Sequence, residues 1–534
     1  MNNPRHPEAA PRGGLALVLH AHLPFVRHPE HPRFLEENWL FEAITETYLP
    51  LLQIMEGWWR DGLATRLTLT LSPTLCAMLR DPLLQDRYEQ HLAGLLELAE
   101  KETHRTRWEP ATLALAEMYL ARFRGLQAYY EQLGRDVVGA FRRFQEQGRL
   151  EIITCAATHA LLPLLAGHPP SLRAQILVAR DDYRECFGCD PRGIWLPECA
   201  YTDAVEPALQ EANLRWFVLD THGVLNARPR PRYGIYAPVF TPNFLAAFGR
   251  DQAAARQVWS REAGYPGDQA YRDFYRDIGF DLDLEYLRPH LADPERRGFT
   301  GLKYHRISGG GRDKQVYDRP AALAKAAEHA RHFVAARRDQ LAELAAVMDR
   351  PPLVVAPYDA ELFGHWWYEG PEFLDALVRA AVAEPEGLEL LTPHEYLTRQ
   401  PAQQVAEPSP SSWGAEGYWK VWLNETNAWI YPHLRVAQER MTELARRFPH
   451  AGGLTARALR QAGRELLLAQ ASDWPFILRT NTSPEYARRR VTEHLARFTA
   501  LHDQLLANHV DAAALAAVEA QDNLFPHLDY RYWA

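Results

Sequence analysis

The sequence predicts an α/β protein in which a parallel barrel of about seven strands is joined to an all-helical C-terminal domain. Three observations carry that expectation. Short apolar runs alternate with long stretches of helical periodicity, the pattern of strand–helix units that feed a parallel sheet. One stretch, 84–147, is helical throughout and interrupts the strand rhythm, so it is expected as an insertion. Beyond residue 400 no strand pattern returns. The expected organisation is therefore a barrel over 1–83, a helical insertion over 84–147, the barrel again over 148–400, and a helical domain over 401–534. An open doubly wound sheet is the alternative topology for the same pattern.

In chain order, the run 15–19 reads as a first buried strand. Residues 37–59 carry helical spacing through Trp39, Leu40, Ala43, Ile44 and Thr47, with Pro50 expected to kink or interrupt the helix. Further strands are expected at 65–71, 150–154, 193–196, 216–219, 353–356 and 388–391. The polar, Pro/Ser-rich stretch 400–412 reads as a linker. Helices are expected at 425–447, 455–471, 484–508 and 511–520, with no internal repeat.

Hydrophobic residues make up 47% and charged residues 24% of the 534, the balance of a soluble globular protein. The net charge of −9 and the absence of any basic face argue against nucleic acid and favour a neutral, polyhydroxy substrate. The first residues carry no apolar signal segment, and no run approaches 18 apolar residues. Five sparse cysteines fit reduced thiols, so a cytoplasmic protein without membrane partners, monomeric or a small homo-oligomer, is expected. The lone pair Cys186 and Cys189 reads as a structural loop. Fifteen Trp and 23 Tyr suit stacking on sugar rings, although large cores use them too.

The chemistry is expected where strands end, because loops at the C-terminal ends of barrel strands bring side chains from different strands together. The first strand runs into His20-Ala-His22-Leu-Pro24-Phe25. The fourth gives Trp195-Leu-Pro-Glu198-Cys-Ala-Tyr201. The run 353–356 gives Pro357-Tyr358-Asp359-Ala-Glu361 and then His365-Trp366-Trp367. Glu198 and Asp359 thus hold equivalent strand-end positions. Two facing carboxylates suit glycoside chemistry, one attacking the anomeric carbon while the other protonates the leaving oxygen. The bland alternative is that each acid caps the helix after it. His20 and His22 share a strand face and suit hydrogen bonds to sugar hydroxyls. They could also begin a metal site completed by His159, His365 or Asp359, as in a metal-dependent hydrolase or deacetylase. A non-catalytic glucan-binding protein is a third class.

Five ordered segments resemble glycoside hydrolase family 57: His20 to Phe25, Gly148-Arg-Leu-Glu151 through His159, Trp195 to Tyr201, Pro357 to Glu361, and Trp413 to Asn427. The resemblance spans nearly the whole chain. It implies an incomplete (β/α)7 barrel, a retaining mechanism without metal or other cofactor, Glu198 as nucleophile and Asp359 as acid/base. Within the family, Val258-Trp-Ser-Arg261 through Asp268, Phe274 to Gly279 and Ala471-Ser-Asp473-Trp474 are similar to the 1,4-α-glucan branching enzymes. That likeness makes amylose or glycogen the expected substrate and Arg261, Gly279, Trp413 and Asp473 glucan contacts. It implies a donor subsite lined by His20 and His159, and stacking by Trp39, Tyr271 and Trp422. Two departures stand out. Thr480-Asn481-Thr482 replaces a Thr-Gly-Gln, and the segment 221–236, with Tyr233 and Tyr236, is shorter than the long mobile loop of branching enzymes. A short lid admits water, so α-amylase or 4-α-glucanotransferase activity is the alternative expectation.

Overall fold

A computed structural model describes residues 13–260, 263–309 and 314–534 of the chain. The strands are β1 (Gly14–Ala21), β2 (Leu67–Leu71), β3 (Leu150–Ile153), β4 (Gly193–Ile194), β5 (Trp216–Leu219), β6 (Val239–Phe240), β7 (Ala246–Gly249), β8 (Leu353–Asp359) and β9 (Glu389–Leu390). They form two sheets. One has the order β3-β2-β1-β8, all parallel, with β9 added against the start of β1. The other has the order β4-β5-β7-β6, parallel except for the short β6.

Two single parallel bridges close these sheets into a ring. Thr154 pairs with Ile194, joining β3 to β4, and Arg250 pairs with Val355, joining β7 to β8. The barrel is therefore β1-β2-β3-β4-β5-β7-β8, seven parallel strands with two thin seams, in keeping with an incomplete (β/α)7 barrel. The expected count was seven, but one member differs. The run 388–391 yields only the two-residue β9. The barrel strand in its place is β7, whose Ala-Ala-Phe-Gly sequence lacks the β-branched run that marks a strand.

Helices cover the barrel wall. The insertion region is built from Pro82–Arg105, Pro110–Gln132 and Val137–Glu146. The first starts where expected from its sequence, with Asp81 accepting a hydrogen bond from the Leu84 N–H and Pro82 in the first turn. The helix expected over 37–59 is broken earlier than Pro50. Glu37–Ala43 passes into a π-helical turn, Ile44–Tyr48, before Leu49–Arg60 continues. Pro50 is the second residue of that last piece, directly after the π-helical turn. The C-terminal region is helical: Ile430–Arg447, Gly453–Ala469, Asp473–Thr480, Pro484–Leu506 and Ala512–Gln521. Residues 400–412 are not a free tether, as their polarity had implied. Val405, Glu407 and Ser411 bridge to Phe240, Arg228 and Tyr201, and Ser411 and Ser412 are fully buried. Cys186 lies in the last turn of the helix Pro169–Phe187, and Gly188 takes the left-handed turn after it. No helix of the described residues is long and apolar enough to cross a membrane.

Candidate active site

Strand alternation decides which side chains reach the barrel mouth. Ala16 and Val18 of β1, Trp216 and Val218 of β5, Ala246 and Phe248 of β7, and Leu353 and Val355 of β8 pack together inside the barrel. Leu15, Leu17, Leu19, Val354, Ala356 and Tyr358 face the surrounding helices. Continuing each inward series by two or four residues arrives at His20, Asp220, Arg250 and Asp359. On β2 the same step carries Thr68 and Thr70 to Ser72. Together with Glu198 after β4 and His159 after β3, these residues form one polar layer at the C-terminal ends of the strands.

Glu198 is held in the left-handed region, with φ 62° and ψ 23°. For a non-glycine residue this is a sparsely populated conformation, kept by its surroundings. The Trp413 backbone N–H donates to the Glu198 carbonyl at 3.0 Å. Its carboxylate accepts from the Trp413 indole Nε1–H at 2.7 Å and from the Ser472 hydroxyl at 3.2 Å. Burial raises its pKa from the ordinary 4.5 to about 7. The Trp413 hydrogen bond opposes that rise, and the Asp473 charge adds to it. The carboxylate caps no helix.

Asp359 closes β8, paired in register with His20 of β1. Its side chain also caps no helix, and it accepts no hydrogen bond from the described residues. Burial, then the Glu361 and Glu198 charges, push its pKa well above the ordinary 3.8, against the pull of Arg250. Glu361 is itself raised by burial and takes a hydrogen bond of 2.5 Å from Tyr48. The π-helical turn aims Tyr48 and Glu46 at the loop after β8, where Glu46 binds His365 at 2.6 Å. Gly364 lets that loop come so close. Its φ is +123°, and a Cβ would lie 1.9 Å from the Glu46 carbonyl oxygen.

The histidines form a stacked group rather than separate contacts. His22 and His159 have ring centroids 3.8 Å apart, and His20 lies against Trp195 at 5.0 Å. His20 Nε2 and His159 Nε2 share a hydrogen bond at 3.0 Å. His159 Nδ1 pairs with the Ser472 hydroxyl at 2.8 Å. His22 is fixed by Ser72 at 2.9 Å and by Asp473 at 3.1 Å. Burial holds His20 and His159 well below the ordinary 6.5, so both are neutral. Two groupings here offer metal-ligand types, His20/Cys155/His159 and His22/His159/Asp473. Their ring nitrogens are committed to one another, Ser72, Ser472 and Asp473, except His20 Nδ1, which is buried without a partner. His365, named as a further ligand for a metal, is bound to Glu46 instead.

The remaining expected residues divide. Trp413 and Asp473 meet the site directly. Trp39 is half-buried and edge-on to Tyr486 of the C-terminal domain at 5.9 Å. Tyr271 and Trp422 are 0% and 1% exposed, so neither offers the open ring face that stacking needs. The Tyr271 hydroxyl pairs with His329, and the Trp422 ring packs over Gly414. Exposed indoles on the segments after β7 and β8 are Trp259 and Trp366, edge to face at 5.9 Å. Gly279 is buried, and its reason is packing, since a Cβ would lie 1.8 Å from the Gly298 carbonyl. Arg261 lies outside the described residues. Tyr233 and Tyr236 are at the opposite end of the barrel. The Tyr236 carbonyl accepts from Leu353, the first residue of β8, and the Tyr233 hydroxyl binds Asp349.

Sequence reading missed Arg250, Asp220, Ser72 and Ser472. Arg250 donates to Asp220 at 3.3 Å and lies over the Trp413 ring at 5.5 Å. Strand parity would have found it had β7 been recognised. Ser472 sits beside the singled-out Asp473. Its backbone N–H donates to the His159 carbonyl at 3.1 Å, tying the helical domain to the barrel mouth.

Residues 16–409 match the family model described as glycosyl hydrolase family 57, and 433–533 match the 1,4-α-glucan branching enzyme C-terminal model. The chain is 33% identical to 1,4-α-glucan branching enzyme TK1436 of Thermococcus kodakarensis, over 96% of this chain and 77% of that one. Its fold superposes with a TM-score of 0.92 on the crystal structure of the α-amylase AmyC of Thermotoga maritima, at 42% identity and 98% and 99% coverage. The family-57-type branching enzyme of Pyrococcus horikoshii follows at 0.88, with 30% identity and 98% and 97% coverage. On the family match over most of its length, and on the barrel that carries it, this chain belongs to glycosyl hydrolase family 57.

Proposed function

We propose that the protein is a retaining 1,4-α-glucan branching enzyme in which Glu198 is the nucleophile and Asp359 the acid/base. One observation carries the assignment of roles: two strand-end carboxylates influence each other electrostatically but differ in hydrogen bonding. Glu198 accepts two donors, which favour its anion, whereas Asp359 accepts none and is pushed toward its protonated form by burial and the acids beside it. The better anion attacks and the better proton carrier donates.

Glu198 attacks C1 of an α-1,4-linked glucosyl unit while Asp359 gives its proton to the departing O4, leaving a covalent glycosyl ester. Asp359, now ionised, takes the proton from a 6-hydroxyl of another chain. That oxygen displaces Glu198 and leaves an α-1,6 branch. His20 lies buried in the stacked histidine group beneath this layer, and Asp473 and Trp413 flank it.

A second reading, hydrolysis on the same site, has its own support. The segment 221–236 brings no tyrosine to the mouth, and similarity to the Thermotoga α-amylase is high. Water then replaces the sugar hydroxyl as acceptor. Incubation with amylose, followed by NMR counting of α-1,6 linkages against new reducing ends, decides between them. Branches are expected to predominate, and reducing ends without branches would establish hydrolysis. In either case the first product is expected in the α-anomeric form, and the β-anomer would refute retention.

A further inference from the structure

Beside the catalytic layer, a cavity of about 140 Å³ lies between the helices Glu37–Ala43 and Pro82–Arg105 and the segment 289–301. Neither Glu198, Asp359 nor the stacked histidines line it. The catalytic loop reaches its wall, because Glu46 lines the cavity and binds His365.

Glu37 and Glu46 in its wall are already matched, whereas the exposed Arg33 guanidinium at its rim has no such partner among the described residues. Glu37 is held by Arg87 at 2.5 Å, and Glu46 by His365 and, at 3.6 Å, by Arg272. What remains is a set of polar groups without hydrogen-bond partners among the described residues: Asn38 and Glu42 on one helix, Glu42 also lying 3.9 Å from His365, and Gln90 and His91 on the other. Burial raises the Glu42 pKa to about 7 and lowers that of His91 to about 4. Near neutral pH the cavity therefore presents an amide at each side, a neutral imidazole and a carboxyl that can donate or accept. Phe41, edge-tilted on His91 at 5.4 Å, and the half-open Phe299 supply apolar walls.

Neutral donors and acceptors beside aromatic faces match the hydroxyls and C–H faces of a sugar. The size decides how much of one, since a cavity of about 150 Å³ is known to admit a single six-membered ring, benzene. We propose that this cavity is a second sugar-binding site, holding one glucosyl unit of an α-glucan away from the bond being cut. The proposal rests on the α-glucan reading given above. Such a site would anchor a chain end and favour long chains over short ones.

The test is calorimetric titration of maltose into the Glu198→Gln protein, in which turnover is stopped. Two classes of site are expected. Adding Asn38→Leu and His91→Phe is expected to weaken one class at least tenfold and leave the other unchanged, and an unaltered isotherm would overturn the proposal. Gln90→Ala lies at the exposed rim, where the fold tolerates it, and is expected to weaken the same class at least threefold. If the double substitution lowers the melting temperature, this single change decides instead, and an unaltered isotherm again overturns the site. Wild-type action on amylose is scored separately. Binding lost with amylose untouched would retain the cavity and reject the enzymatic reading, whereas amylose processed with binding unaltered would reject the cavity alone.

Discussion

Two buried clusters of acids and imidazoles can be compared within this chain. In the helical domain, Glu465, His494 and Asp522 are all fully buried. Asp522 lies between Arg497 at 2.8 Å and Arg490 at 3.4 Å. Although burial opposes it, the charges of Arg490 and Arg497 hold its carboxyl below the ordinary range. Glu465, raised well above its usual value by burial, shares its proton with His494 at 2.7 Å and takes a bond from Gln461 at 2.7 Å. At the barrel mouth, Glu198, Asp359 and Glu361 are all raised by burial, and the Arg250 guanidinium, itself paired with Asp220, opposes that rise at Asp359. The residue types are alike, but the compensation is not. The balanced cluster joins helices, whereas the unbalanced one, on a backbone held at positive φ, has protons and charge to exchange.

If that contrast is right, Glu198→Gln is expected to lower turnover on maltoheptaose on the order of 10⁴-fold, with circular dichroism unchanged. A loss below tenfold would erase the distinction. In the other cluster, Asp522→Asn strips the buried Arg490 and the partly buried Arg497 of their carboxylate and is expected to cost about 3–5 kcal/mol in urea unfolding, with turnover per folded molecule retained. The two substitutions should thus exchange their effects on activity and stability.

A sharper form uses pH. The folded-state pKa of Glu198, about 7, lies above its ordinary 4.5, so the fold's preference for the protonated group is intact below pH 4.5 and is lost as pH rises through 7. Glu198→Gln is therefore expected to match wild type in stability at pH 4 and to exceed it by up to about 3 kcal/mol at pH 8. Equal stability at both values would show that the site stores no electrostatic cost. Trp413→Phe removes a donor that favours the anion. The acid limb of kcat/KM is expected to move upward by about one pH unit. Ser472→Ala, with its longer bond of 3.2 Å, is expected to move it in the same direction by less.

The barrel was legible because strand-end clusters and alternation are local properties. His20, Glu198 and Asp359 stand out for that reason, each closing an apolar run with a polar side chain. Arg250 and Asp220 obey the same parity but were hidden, since Ala246–Gly249 is too short and too small-residued to read as a strand. The His22 contact with Asp473 joins positions 451 apart in the chain. No local pattern carries it, although both residues were singled out for other reasons. Tyr271 and Trp422 show the opposite failure. An aromatic side chain in a polar stretch announces neither face nor depth, and burial closed both rings. The segment 400–412 looked like a linker by composition, yet its serines satisfy backbone partners inside the structure, which polarity alone does not distinguish from solvation.

The seams of the barrel bear on how the enzyme handles substrate. Asp359 rides on the sheet β3-β2-β1-β8, whereas Glu198 and Arg250 extend the sheet β4-β5-β7. Among the described residues, only the bridges Thr154–Ile194 and Arg250–Val355 stitch these halves edge to edge. The gap between the Glu198 and Asp359 carboxyl groups, the nucleophile and proton donor proposed above, is thus a distance between two plates, and a slight parting at either stitch widens it without bending any strand. Ser472 and Trp413, which brace Glu198 from outside both plates, act as the clasp that keeps this gap at its working width.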